Sequence, residues 1–113
     1  MKTLLFSLLL TSPCLAHDAP SGWTYPVHCC SQTDCHQIDE SALEEYPNYW
    51  VIRATKELFL KPEIDNSKAG IPSNAEVSGV ATYSPDGLFH RCSGHNGAED
   101  GVTYCLFVPR PAT

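Results

Sequence analysis

Cationic residues are scarce in this 113-residue sequence, which has 7 lysines and arginines against 13 acidic residues and a formal charge of −6 at pH 7. No basic run interrupts this balance. A protein of this charge repels polyanions and anionic lipid surfaces. The composition therefore argues against nucleic acid as a partner.

Long apolar stretches are also lacking. The N-terminal run that follows Lys2 ends at Leu10, well short of the roughly 20 residues that a membrane-spanning helix requires. A cation, an apolar run and a small-residue exit at Ala16 are together typical of a secretory signal peptide. We therefore expect residues 1–16 to be removed and residues 17–113 to form one periplasmic or secreted domain, with no stable membrane span after cleavage.

Two catalytic motifs are absent. The chain has no Gly-x-Ser-x-Gly of serine hydrolases and no Cys-x-x-Cys of thioredoxin-like oxidoreductases. We predict no catalytic residue. The sequence favours an exported envelope or interaction protein without catalytic activity, whose partner would be another envelope protein.

Cysteine, in contrast, is plentiful. Five cysteines remain after the predicted cleavage, and three of them lie within seven positions: Cys29, Cys30, Cys35, Cys92 and Cys105. An odd number in an oxidising compartment predicts two disulfides and one unpaired thiol.

Cys92 and Cys105 lie far along the chain from the cluster of Cys29, Cys30 and Cys35, and we expect a disulfide to link the two regions. We predict that Cys92 and Cys105 both form disulfides and that at least one of these reaches the cluster, because closing 60 to 80 residues stabilises the fold by about 4 kcal/mol. We predict that the unpaired thiol is Cys29 or Cys30 and that it is buried. Neighbouring side chains of an extended segment point to opposite faces, so one of the two can reach a distant partner while the other lies against the core.

The chain up to residue 46 predicts little regular structure. Residues 17–27 hold two prolines and should form an extended arm, with Trp23 and Tyr25 laid against the body. Residues 38–46 carry cap residues and acids ahead of Pro47, and they predict the one short helix.

Strands dominate the remainder. Residues 49–61 predict two strands joined at 54–57, residues 63–76 an exposed loop, and residues 102–108 a final strand. If this strand pairs with the strand before loop 94–101, Cys92 and Cys105 lie on adjacent strands. Residues 77–84 and 88–93 predict a hairpin about the turn Ser84-Pro-Asp-Gly87. The expected fold is a small, mainly β, disulfide-stapled single domain built of hairpins and one short helix.

Two alternative functions rest on ligand chemistry. Cleavage after Ala16 would leave His17 with a free α-amino group, which with its own imidazole and a second histidine can chelate copper(II). The candidate second ligands are His28, His36, His90 and His95. Otherwise we expect no cofactor.

The second alternative is a thiol-disulfide redox protein, because adjacent Cys29 and Cys30 with a leftover thiol could exchange disulfides. The segment His28 to His36 also has residue types that bind zinc or copper(I). In an exported chain such thiols become oxidised by the surrounding compartment, so disulfides are expected instead of a metal site.

Several of these features occur together in one known group of proteins. Trp23-Thr-Tyr-Pro26, Cys29-Cys30-x4-Cys35, Ser84-Pro-Asp-Gly87 and Cys105-Leu-Phe-Val-Pro109 give the sequence a pattern that resembles small exported proteins of unknown function from alphaproteobacteria and their phages. The resemblance implies a bacterial envelope or secreted location and supplies no activity.

Overall fold

The computed structural model describes Ala19 and residues 22–30, 34–64, 70–94 and 98–111, with only the backbone of Cys30. The predicted signal peptide, His17 and His95 lie outside the described residues. The described chain forms two four-stranded sheets and one α-helix of a single turn, so the predicted small, mainly β, disulfide-stapled fold is confirmed. None of the described helices has the length and apolar character needed to cross a membrane.

Sheet 1 has the strand order β1-β7-β8-β6, and sheet 2 has the order β2-β3-β4-β5. The helix α1 spans Val27–Cys30. The strands are β1 Asp34–Ile38, β2 Leu43–Glu45, β3 Tyr49–Ile52, β4 Leu58–Leu60, β5 Val77–Val80, β6 Thr82–Tyr83, β7 Phe89–Ser93 and β8 Thr103–Val108.

The centre of sheet 1 brings three cysteines side by side. Cys92 of β7 lies opposite Cys35 of β1 and opposite Cys105 of β8. The strands on either side of loop 94–101 do pair, which the sequence had left open. The register shifts by one residue beside Cys92, so that Tyr104 on β8 has no partner and forms a bulge.

The two disulfides use these positions. Cys35–Cys92 joins β1 to β7, and Cys29–Cys105 joins α1 to β8. The prediction that Cys92 and Cys105 both form disulfides, at least one of them with the cluster of Cys29, Cys30 and Cys35, is confirmed. The side chain of Cys30 lies outside the description, so the predicted unpaired thiol stays a prediction, now without Cys29 as a candidate.

Residues 77–83 pass from one sheet to the other. β5 runs parallel to β4 in sheet 2, and after Ala81 the chain continues as β6, parallel to β8 in sheet 1. Ala81 is buried, and its N–H donates to the carbonyl of Leu60 at 2.8 Å.

The predicted hairpin of residues 77–84 and 88–93 is wrong. Strand β8 lies between β6 and β7, and the N–H of Ser84 donates to the carbonyl of Val108 at 2.8 Å. The turn itself forms, with Gly87 at a φ of +74°. The turn residues specify a local reversal of the chain, and they cannot specify which strand lies next to it.

The predicted helix over residues 38–46 is also wrong. Asp39 does act as a cap and accepts from the N–H of Ser41, but the helix it starts is one 3-10 turn, Glu40–Ala42. The flanking residues belong to β1 and β2, where Leu43 is buried. So short a helix is marginal alone, and strand pairing with burial outweighs it. A short α-helix does form in the described chain, but it is α1, at Val27–Cys30.

Apolar side chains form three layers. One core fills the space between the sheets, with Trp50 and Phe59 of sheet 2 facing Leu106 and Val108 of sheet 1. Because neighbouring strand residues point to opposite faces, the alternate residues form two outer cores. One of these lies on sheet 1, and the other consists of Tyr49, Leu58 and Leu60 on sheet 2.

Each outer core has a cover. The arm packs Ala19, Trp23 and Tyr25 against sheet 1, as predicted for its two aromatic residues. Most described residues of the loop 63–76 are exposed, as predicted, but Ile64 and Ile71 are half-buried and pack against sheet 2. An apolar outer face on β4 explains the difference, because both isoleucines bury surface on it.

Candidate functional site

A cleft of about 340 Å³ lies where the ends of β4 and β8 meet, between the two sheets. Pro62 follows β4 and Pro109 follows β8, and a proline that cannot donate to a strand ladder ends pairing at both places. Residues of both sheets therefore line one opening.

Three aromatic rings form the apolar part of the cleft. Trp50 lies on sheet 2, and Tyr83 and Phe89 lie on sheet 1. The rings of Trp50 and Phe89 meet edge to face, with centroids 5.2 Å apart. This arrangement is favourable for two aromatic quadrupoles and fixes both rings.

Two cations lie against these rings. Lys61 Nζ is 5.2 Å from the centroid of the Trp50 ring and pairs with Glu45 at 2.6 Å. The guanidinium of Arg110 lies 4.3 Å from the centroid of the Tyr83 ring. Within the described residues Arg110 forms no ion pair, so its charge is not neutralised by a neighbouring acid.

The indole N–H of Trp50 is buried without a hydrogen-bond acceptor among the described residues. Trp50 is only 7% exposed. A buried donor left unpaired costs about 1–3 kcal/mol, so groups of this kind in a folded protein call for an explanation. A ligand that accepts from this N–H would supply one.

A second polar cluster holds the arm against sheet 1. Asp86, in the turn before β7, accepts from Trp23 Nε1 at 2.9 Å and lies 2.9 Å from His90 Nε2, while His90 Nδ1 lies 2.8 Å from the hydroxyl of Tyr25. Because a carboxylate only accepts, His90 donates from Nε2 and Nδ1 accepts from Tyr25 in the neutral ring.

This cluster is enclosed. His90 has 0% exposure, and burial together with the charges of Asp86 and Asp34 raises the pKa of Tyr25 to about 12. No side of the imidazole is open to a substrate. The arrangement therefore anchors the arm to the turn.

A third cluster fixes the segment that leads into β8. Arg91 donates to Thr103 at 2.6 Å and to the backbone carbonyls of Glu99 and Gly101, while Glu57 accepts from the N–H and the hydroxyl of Thr103.

Burial acts to raise the pKa of Glu57, but the hydrogen bonds from Thr103 and Thr55 and the charge of Arg91 prevail and lower it. Burial lowers the pKa of Arg91 against the charge of Glu57. The cluster joins sheet 2 to sheet 1.

The predicted metal ligands do not converge in the described part of the chain. His28 is exposed on α1, His36 is half-buried in β1, and His90 is enclosed as above. Within the described residues, one group of three potential ligand side chains occurs, which is His28 with Cys29 and Cys105. Its two sulfur atoms form a disulfide and are not thiolate ligands in this state. Since His17 lies outside the description, copper binding stays a prediction.

Sequence reasoning did not find the cleft. Trp50, Tyr83 and Arg110 are far apart in the chain, and each belongs to a segment whose pattern predicts only a strand or its end. The one available signal was the tripeptide Pro109-Arg110-Pro111, in which two prolines place a cation in a stiff extended tail beside the last strand.

Comparisons of the chain with protein family models, with curated proteins and with solved structures found no match. The resemblance to small exported bacterial and phage proteins therefore stays a prediction.

Proposed function

We propose that the protein is an exported, disulfide-stabilised interaction protein of the bacterial envelope, without catalytic activity, and that it binds its partner in the cleft around Trp50. The observation that carries the proposal is that, among the described residues, the buried indole N–H of Trp50 has no acceptor and Arg110 has no acidic partner, while both residues line the cleft. A cleft with apolar walls and a few convergent polar groups is the usual form of a binding site.

The other polar clusters support a role in the fold. In the described residues, His90 and Arg91 are both buried and have their polar groups bonded to neighbouring side chains or carbonyls. Groups that are saturated by internal hydrogen bonds stabilise a structure and are not free to move protons to or from a ligand. This favours binding over catalysis.

Compartment is supported by sequence and by covalent chemistry together. Two disulfides persist in oxidising compartments such as the periplasm. The predicted signal peptide would deliver the chain there. Export is therefore part of the proposal.

Site-specific photo-crosslinking in living cells tests both parts. The full chain is expressed in an alphaproteobacterium with a photoreactive phenylalanine analogue at Glu40, which lines the cleft, or at Glu76, an exposed residue that does not. We expect the mature protein to begin at His17 in the periplasmic or secreted fraction. We also expect a discrete cross-linked species from Glu40 alone.

The cross-link must depend on the cleft. Adding Phe89→Ala, which removes one apolar wall, should abolish the species formed from Glu40. Identical products from Glu40 and Glu76, or a species that survives Phe89→Ala, would contradict binding in the cleft. A chain that keeps residues 1–16 in the cytoplasm would contradict export.

A further inference from the structure

The cleft offers two kinds of hydrogen-bond donor to a ligand. Arg110 is stacked on Tyr83, which orients its planar guanidinium without neutralising it. Such a fork binds carboxylates through two parallel hydrogen bonds. The indole N–H of Trp50 is the second donor and has no acceptor of its own in the described structure.

The charges of the cleft limit the anion it can take. Glu45 is paired with Lys61, but Glu40 also lines the opening and is exposed. Glu40 repels any anion, but it repels a doubly charged group such as a phosphate more strongly than a carboxylate, whose single charge Arg110 alone can match. The site thus favours a single carboxylate.

The walls require an apolar group next to that carboxylate. Phe89 and Pro109 present carbon surface, and the cleft of about 340 Å³ is at the small end for a ligand site, roughly 300–1,000 Å³. Because the Trp50 N–H is buried, a ligand can reach it only if a side chain of the cleft moves. Lys61, which lies over the Trp50 ring on a flexible stem, is the side chain that we expect to move.

We infer that the cleft binds the C-terminal end of a partner polypeptide whose last residue is apolar. A terminal residue carries its carboxylate and its side chain on the same carbon atom, so both reach a small cleft together. An internal Asp or Glu would bring a carboxylate without the apolar group. This inference rests on the proposed function and names the partner's chemistry.

The test uses the oxidised mature protein and a set of peptides Ac-Gly-Ser-Gly-X, in which X is each amino acid in turn, with either a free or an amidated C-terminus. Binding is measured by calorimetry. We expect peptides with an apolar X and a free carboxylate to bind about tenfold or more tightly than their amides, since each 1.4 kcal/mol is a factor of ten.

Three variants locate the contacts. Arg110→Gln should weaken binding of the free acids about tenfold while leaving the amides unchanged. Trp50→Phe, which keeps a ring and removes the N–H, should weaken binding several-fold without loss of the folded state, because the N–H has no acceptor in the described part of the chain. Arg53→Gln is the matched control, since Arg53 pairs with Glu44 outside the cleft and its loss should change nothing.

Equal binding of acids and amides, or no binding of any peptide while the cross-link from Glu40 persists, would overturn this inference and leave the proposed function standing. Tighter binding of free phenylacetate than of any peptide would show that the carboxylate belongs to a small molecule. Loss of the cross-link itself would count against the proposed function.

Discussion

The two disulfides are nested, because Cys29–Cys105 encloses Cys35–Cys92 along the chain. Nesting makes their contributions to stability depend on each other. Acting alone, links with separations of 76 and 57 residues would stabilise the fold by about 4.5 and 4.2 kcal/mol in the chain-entropy model.

With both bonds present, each acts on a chain that the other has already restricted. Through Cys35–Cys92, the unfolded chain connects Cys29 to Cys105 by a path of only about 20 residues, so the outer bond then contributes about 3.3 kcal/mol. Closing the thermodynamic cycle gives the inner bond about 3.0 kcal/mol. Both together contribute about 7.5 kcal/mol, a large part of the stability of a domain of this size.

Pairwise Cys→Ala variants test this arithmetic in a Cys30→Ala background, which prevents thiol exchange at Cys30. Unfolding by urea is followed by tryptophan fluorescence, and a variant too unstable to melt in urea is refolded with a stabilising osmolyte. Removing either bond first should cost about 3 kcal/mol, and removing the second should cost over 4 kcal/mol. Equal first and second losses would refute the nested restriction, and losses under about 1 kcal/mol would show that the unfolded chain is already compact.

Three further predictions concern single residues. Because the pKa of Glu57 is lowered in the fold, the stabilisation it gives is present at neutral pH and is lost as the pH falls below 4.5, its ordinary value. Glu57→Gln should therefore reduce the fall of the urea midpoint at acid pH, and an unchanged fall would contradict this. Because the pKa of Tyr25 is raised from 10.0 to about 12, the wild type should lose up to about 3 kcal/mol between those pH values as the unfolded phenol ionises, and Tyr25→Phe should lack that part of the alkaline loss, as equilibrium unfolding at each pH would show. A Cβ at Gly101 would overlap the backbone carbonyl of Gly94, so Gly101→Ala should cost about 1–3 kcal/mol, whereas Gly94→Ala, where a Cβ meets only ordinary contacts, should cost less than about 1 kcal/mol in the same melts.

Local patterns predicted what depends on neighbours in the sequence. The alternating and aromatic segments correctly predicted β3, β4 and β8. The sequence left open whether the strands around the glycine-rich loop pair, and the structure shows that they do, with Cys92 opposite Cys105. Trp23 and Tyr25 were correctly expected to anchor the arm.

The errors came from partners that are distant in sequence. The residues of the turn Ser84–Gly87 do not determine that β8 lies between β6 and β7. Likewise, the capping residue Asp39 does not determine that Leu43 is buried in a strand. The unpaired N–H of Trp50 depends on everything that packs around one ring, so no pattern in the sequence predicts it.

The chain passes from sheet 2 to sheet 1 at Ala81, and the two sheets should differ in their stability against local unfolding. Sheet 2 is one contiguous block, residues 43–80, inserted between β1 and β6 of sheet 1, and both disulfides lie outside that block. Amide hydrogens of sheet 2 should therefore exchange through a partial opening that leaves sheet 1 intact. The cleft spans this boundary, so a ligand bound to Trp50 and Arg110 together would close the partial opening and slow exchange across the whole of sheet 2.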